Sequence, residues 1–151
     1  MDGVAIRAFS TKDQPAVTAL ILGGLAEHWG EVDESLNPDV HDLASAYANG
    51  RTVVAESGNR LVGTGTVFPV GNRRAEIRRM SVAPDCRRLG VGRALVAALV
   101  DAARDWDIDQ VVLETSAHWD VVVAFYLHCG FVLTHHDDGE FGLDAWFALT
   151  L

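Results

Sequence analysis

The stretch RRMSVAPDCRRLGVGRAL, residues 78–95, changes character midway. Its first part closes the alternating run AEIRRMSVA (75–83), which reads as a strand ended by Pro84. Its last part opens a pattern in which Val91, Leu95, Ala98, Leu99, Ala102 and Trp106 recur at helical spacing. A helix therefore begins near Gly90. The first turn of a helix leaves backbone N–H groups unpaired and carries a partial positive charge. Glycines at 90 and 92 lack Cβ, so a bulky anion can come close to those amides. Arg87, Arg88 and Arg93 add charge and fork-shaped donors. Together they suit a pyrophosphate. The plainer reading is a helix start with solvated arginines.

The rest of the chain makes this island conspicuous. The 151 residues carry a formal net charge of −9. Seven of the twelve basic residues fall between Arg73 and Arg93 beside only Glu76 and Asp85, so that stretch is +5 and the remainder −14. An acidic balance disfavours nonspecific nucleic-acid binding and is compatible with drawing in a cationic substrate. Hydrophobic residues make up 49%, enough for one domain, residues 1–151, with a sizeable core. No run of 18 uncharged apolar residues spans a membrane. The N-terminus MDGVAIRAF lacks a basic segment followed by an apolar one, so export is not expected and a cytoplasmic location is. Cys86 and Cys129 match no metal spacing and fit free thiols.

Working outward, VAIRAF (4–9) alternates as a strand, and Ser10 and Pro15 open a helix ending at about Gly23 or Gly24. HWGEVDESLNPD (28–39) reads as a polar loop, and Asn37-Pro38 opens a second helix through Tyr47. RTVVAES and LVGTGTVF form a hairpin, followed by the strand at 75–83 and the long helix. Strand 111–116, helix 119–129, strand FVLTHH, a turn at DDGE (137–140) and strand LDAWFAL complete an α/β domain with a mixed sheet.

Two phosphate folds are disfavoured. No GxxxxGK[ST] loop is present, and GVGRAL lacks a third glycine and follows the fourth strand rather than the first. Instead Arg87-x-x-Gly90-x-Gly92, preceded by MSVAP, resembles the acetyl-CoA signature of the GNAT superfamily of N-acetyltransferases, and AFYLHCGF (124–131) resembles that family's late Tyr-x-x-x-Gly-Phe segment. The element order is similar over nearly the whole chain. The resemblance implies a splayed central sheet of about seven strands flanked by about four helices, with acetyl-CoA in the gap and no metal. It implies that Met80, Ser81 and Val82 hold the pantetheine and thioester. The amides of Arg87, Arg88, Leu89, Gly90, Val91, Gly92 and Arg93 would wrap the pyrophosphate. The reaction implied is acetyl transfer to a primary amine by direct attack in a ternary complex.

An alkylammonium is only roughly one part in a thousand neutral near pH 7, so a base is needed. Glu76 is the first candidate, matching by position the catalytic glutamate of one branch of the family. Strict alternation puts it on the face of Met80 and Val82. The competing reading pairs it with Arg78. His28 is a fallback base or a loop histidine. The resemblance places Tyr126 at the sulfur as the acid; otherwise it is a core aromatic beside Trp119 and Val123. Trp119 stands where family members often carry a cofactor-binding asparagine. HHDDGE (135–140) reads as a hairpin turn rather than a metal tract.

The acceptor, a small molecule or a peptide amine, is expected to meet His28, Trp29 and Glu31, with Asp33, Glu34, Asp39 and Asp144 nearby. The alternative is a non-catalytic acyl-CoA sensor or interaction module on the same fold. No nucleic-acid or membrane partner is expected, and an exposed final strand would allow a homodimer.

Overall fold

A computed structural model describes residues 3–151. Seven strands form one sheet: β1 (Val4–Ala8), β2 (Arg51–Ser57), β3 (Arg60–Gly71), β4 (Arg74–Val82), β5 (Gln110–Ser116), β6 (Val132–Gly139) and β7 (Gly142–Thr150). Their order is β1-β2-β3-β4-β5-β7-β6, antiparallel except for β4 with β5. That one parallel pairing needs a crossover, which α3 (Val91–Arg104) supplies. Helices α1 (Gln14–Trp29), α2 (Leu43–Ala46) and α4 (Asp120–His128) complete the set.

The helices cover opposite faces of the sheet. Leu95 and Leu99 of α3, both fully buried, share the larger core with Val62, Val67, Ile77, Phe131 and Phe147. Val17 and Ile21 of α1 pack with Val40, Leu43, Tyr47 and Val54 on the other side. Apolar residues at α3 spacing thus meet the alternating face of the strands, and burying each large side chain contributes about 1.5–3 kcal/mol.

Three boundaries differ from the sequence reading. Helix α1 runs through Gly23 and Gly24 and stops at Gly30, whose φ is +79°. Gly24 lies against β4, where a Cβ would come 2.9 Å from Ser81 Oγ, so close packing rather than helix ending accounts for it. The expected helix 38–47 breaks into a 3-10 turn, Pro38–His41, and the single turn α2. Asp42 is extended there and caps Ser45 N–H at 3.3 Å, while Gln14 Oε1 accepts Leu43 N–H at 3.0 Å. A side chain from α1 thus competes with the helix ladder. The last hairpin turns at Glu140 and Phe141, two residues later than expected, since pairing continues to Gly139–Gly142.

Candidate active site

Strand β4 is paired on both sides only at its start. Its contacts with β5 are Arg74–Gln110, Ala75–Val111 and Glu76–Val112, and there they end. Beyond that point β4 continues against β3 to Val82, and β5 continues against β7 to Ser116. The strands diverge, leaving the β5-facing edge of residues 77–81 without a strand neighbour, while the Val82 carbonyl accepts from Arg87 Nε at 3.2 Å. Helix α3 points its N-terminus toward the same end of the gap. Its first i→i−4 bond runs from Ala94 N–H to the Gly90 carbonyl at 3.0 Å, so the amides of Val91, Gly92 and Arg93 precede the ladder.

The two glycines serve different ends. Gly90 caps the helix with φ +86°, and Arg88 also lies in the left-handed region at +62°. A Cβ on Gly92 would sit 3.1 Å from the Phe125 ring, so this glycine lets α4 close on the start of α3. Ligand approach, expected of both glycines from the sequence, is not what requires them: local geometry at Gly90 and packing at Gly92 already do.

The arginine island is dispersed by ion pairs. Arg73 reaches Asp107 and Asp109, Arg78 reaches Glu76, and Arg79 reaches Asp39. Arg87 lies bidentate on Glu27 of α1 at 2.5 and 2.6 Å, and it depresses that carboxyl's pKa. Arg93 donates to the His128 carbonyl at 2.9 Å. Among the described residues Arg74, Arg88 and Arg93 pair with no carboxylate, so the positive charge left at the turn comes from Arg88 and Arg93. Arg60 fixes the turn from β3 through two 2.7 Å bonds to Asp85. A cleft of about 400 Å³ runs along α1 beside this turn, walled by Leu20, Ser81, Val82 and the Glu27–Arg87 pair.

A bulge decides which side chains face the gap. Arg78 is opposite Thr66 and Ser81 opposite Thr64, so three steps on β4 match two on β3. Arg79, at φ +59°, absorbs the extra residue. Side-chain parity flips there. Met80 lies under α3, its sulfur where a Cβ on Gly65 would fall, and Val82 approaches Gly92. Glu76 and Arg78 face the α1 side, where Ser81 Oγ donates to the Leu20 carbonyl at 2.9 Å. Strict alternation from Glu76 to Met80 and Val82 is therefore incorrect: the glutamate lies on the opposite face. It is buried, accepts from Arg78 Nε at 2.8 Å, and its partner guanidinium lies 5.0 Å over Phe68.

A carboxylate missed in the sequence sits across the gap. Glu114 of β5 is opposite Trp146 of β7. Its end is open to solvent, yet flanking strands desolvate it, and together with Asp144 and Glu76 they raise its pKa against the opposing pull of Arg78. The signal was slight: Glu114 is the one charged residue of VVLETS and lies twelve residues before Tyr126. Tyr126 itself is buried among Phe125, Phe131 and Phe147, and burial raises its pKa, holding the phenol protonated.

The acceptor-side expectations divide. His28 and Trp29 fall in the last turn of α1, not in a loop; His28 stacks on Trp119 at 4.0 Å and Trp29 meets it at 5.2 Å. Glu31 is exposed. Asp39 is bound by Arg79 and the Tyr47 hydroxyl, Asp33 caps Ser35 N–H, and Glu34 meets His41. These three acids hold the loop together. Cys86 is buried, and burial raises the Cys129 thiol pKa, which lowers its reactivity. Among the described residues no group of three or more His, Cys, Asp or Glu is placed to hold a metal, and no helix is long and apolar enough to cross a membrane.

The fold is thus a mixed sheet whose central strands splay apart beside the N-terminus of the crossover helix. The profile of the Acetyltransferase (GNAT) family matches residues 21–131, and the chain belongs to that family of acyltransferases. It is 37% identical over 124 residues to rat (Rattus norvegicus) N-acetyltransferase 8F1, covering 76% of this chain and 56% of the relative. To rat N-acetyltransferase 8B it is 34% identical, over 68% of this chain and 50% of the relative. The chain thus spans about half the length of these relatives. A GNAT acetyltransferase from Staphylococcus aureus superimposes with a TM-score of 0.87 at 19% identity, covering 98% of this chain and 99% of that one. The Salmonella typhimurium protein yncA, solved with its cofactor acetyl-CoA, gives a TM-score of 0.77 at 17% identity, covering 99% and 95%.

Proposed function

We propose that this chain transfers an acetyl group from acetyl-CoA to a primary amine by direct attack in a ternary complex. One observation carries the reading: the edge of β4 that β5 leaves beyond Glu76, closed at Val82 by Arg87 Nε, runs toward the amides at the start of α3. The acyl carrier supplies an activated thioester when bound, and the residues present fit it. Backbone groups of Met80, Ser81 and Val82 would take the pantetheine as a strand takes a neighbour. The turn from Arg87 through Arg88, Leu89, Gly90, Val91 and Gly92 to Arg93 would take the pyrophosphate.

Two proton movements remain for the side chains. Glu114 receives a proton from the incoming ammonium; its raised pKa brings a carboxylate nearer the range useful to a base. Glu76, the base expected from position, is held by Arg78 and serves to orient that guanidinium and to tune Glu114. Tyr126, kept neutral by burial, donates to the departing sulfur. The acidic, aromatic rim formed with His28 and Trp29 suits an amine acceptor.

An amine panel with thiol detection tests this, run on the wild type and on Glu114→Gln, Glu76→Gln and Tyr126→Phe. Loss of thiol release in Glu114→Gln and Tyr126→Phe with acetyl-CoA binding retained supports the enzyme. If no amine releases thiol while acetyl-CoA binds, a sensor module replaces it.

A further inference from the structure

We infer that the acceptor is an amine carried on a flat apolar body, an aryl or similar ring a few bonds from the nitrogen, gripped by Trp29, Trp119 and Phe141. The inference rests on the acetyl-transfer reading and names its substrate class.

These three rings lie far apart in the chain and meet in space. Trp29 ends α1, Trp119 caps α4 just past β5, and Phe141 is the tip of the β6–β7 hairpin. Ring centroids lie 5.2 Å apart for Trp29 and Trp119 and 5.8 Å for Trp29 and Phe141. Their planes are inclined at 60° and 52°, and His28 backs Trp119 in a stack at 19°. Among the described residues none of the three belongs to either buried cluster. Trp29 is 45% exposed and Phe141 63% exposed. Large aromatics grouped at the surface form the kind of apolar patch that serves as a ligand groove.

Position and charge select the occupant. Glu114 stands two residues, roughly 7 Å, before the end of β5, and Trp119 follows three residues beyond that end. Asp144 lies opposite Ser116, the last residue of β5. An ammonium at Glu114 therefore meets negative charge, and whatever it is attached to extends onto the rings. Ring faces also attract the cation itself. Asp144 and Asp137 also act on Glu114, so a polyamine is the competing acceptor that kinetics separate.

The test is steady-state kinetics at saturating acetyl-CoA with phenethylamine, ethylamine and spermidine, plus quenching of tryptophan fluorescence by phenethylamine. The expected result is a KM for phenethylamine at least tenfold below that for ethylamine or spermidine. Trp29→Ala and Phe141→Ala each raise it about five- to tenfold with little change in kcat, as truncated aromatic anchors do. Phe141→Tyr, which keeps the ring, restores it. Unchanged acetyl-CoA affinity in each variant shows that the fold is intact. Equal KM values for the three amines, a preference for spermidine, or alanine variants that affect all amines alike overturn the inference while leaving acetyl transfer standing. Absence of thiol release with every amine, together with no quenching, overturns both.

Discussion

At the α3 end of the β4–β5 gap the groups proposed to meet acetyl-CoA are main-chain amides, set by a helix start, a left-handed Gly90 and a strand edge that lost its neighbour. At the hairpin end they are side chains: Glu114 from β5, Trp119 beyond it, Trp29 from α1 and Phe141 from a turn. The first end is local, assembled from residues 77–93. The second draws on residues more than a hundred positions apart. A main-chain site tolerates most sequence change provided the backbone keeps its path, so one end can serve a whole family. A side-chain site changes with each substitution, so the other end can suit one acceptor.

Substitutions at the two ends should separate in kind. The largest effect is expected at Glu114. Glu114→Gln should lower kcat/KM by about 10²–10⁴ near neutral pH, while Glu76→Gln lowers it less than tenfold. Because desolvation and Asp144 raise the Glu114 pKa, the base is unprotonated only above that displaced value. The acid limb of the kcat/KM profile should therefore sit above the ordinary glutamate value of 4.5 and vanish in Glu114→Gln. Loss of that limb in Glu76→Gln instead would exchange the two roles.

Next is the backbone end. Gly90→Val forces a branched side chain into φ +86°, costing at least about 1–2 kcal/mol, and should weaken acetyl-CoA binding about tenfold by titration calorimetry. The KM for the amine should move little.

A smaller effect joins the two ends. Glu27 occupies Arg87 from the helix that also carries Trp29, so on the proposed reading carboxylate and pyrophosphate compete for one guanidinium. Glu27→Gln should tighten acetyl-CoA binding about two- to fivefold, the range of an exposed ion pair. Weaker binding would show that the pair instead holds the turn in shape.

The smallest lies away from the site. Asp13 accepts two bonds from Arg7 at 2.8 and 2.9 Å, which pull its pKa to about 2. A depressed carboxyl pKa contributes stability above its ordinary 3.8 and loses it as pH falls toward 2. Arg7 is one-third exposed, so the loss should be about 1 kcal/mol. Asp13→Asn should flatten urea stability between pH 4 and 2.

Much of this was legible from residues close in sequence. Strand, turn and helix across 75–106 could be read because alternation, Pro84 and the 3.6-residue spacing act within one element. Tyr126 is proposed as the acid from its neighbours in AFYLHCGF, which lie within one segment. Glu114 was not singled out, because its environment comes from β7 and from across the gap. The face of Glu76 was misread because one extra residue at Arg79, accommodated only against β3, inverts the alternation. Gly24 looked like a helix end because its packing partner, Ser81, is 57 positions away.

By itself the sequence determined the periodic elements, their order, and a helix start furnished with glycine and arginine, since each depends on backbone preferences and side chains within a few residues. Tertiary structure alone decided where β4 leaves β5, which arginines remain without a carboxylate, and which rings meet at the end of α1. Those outcomes depend on contacts between distant segments, and no local spacing encodes a distant neighbour's geometry.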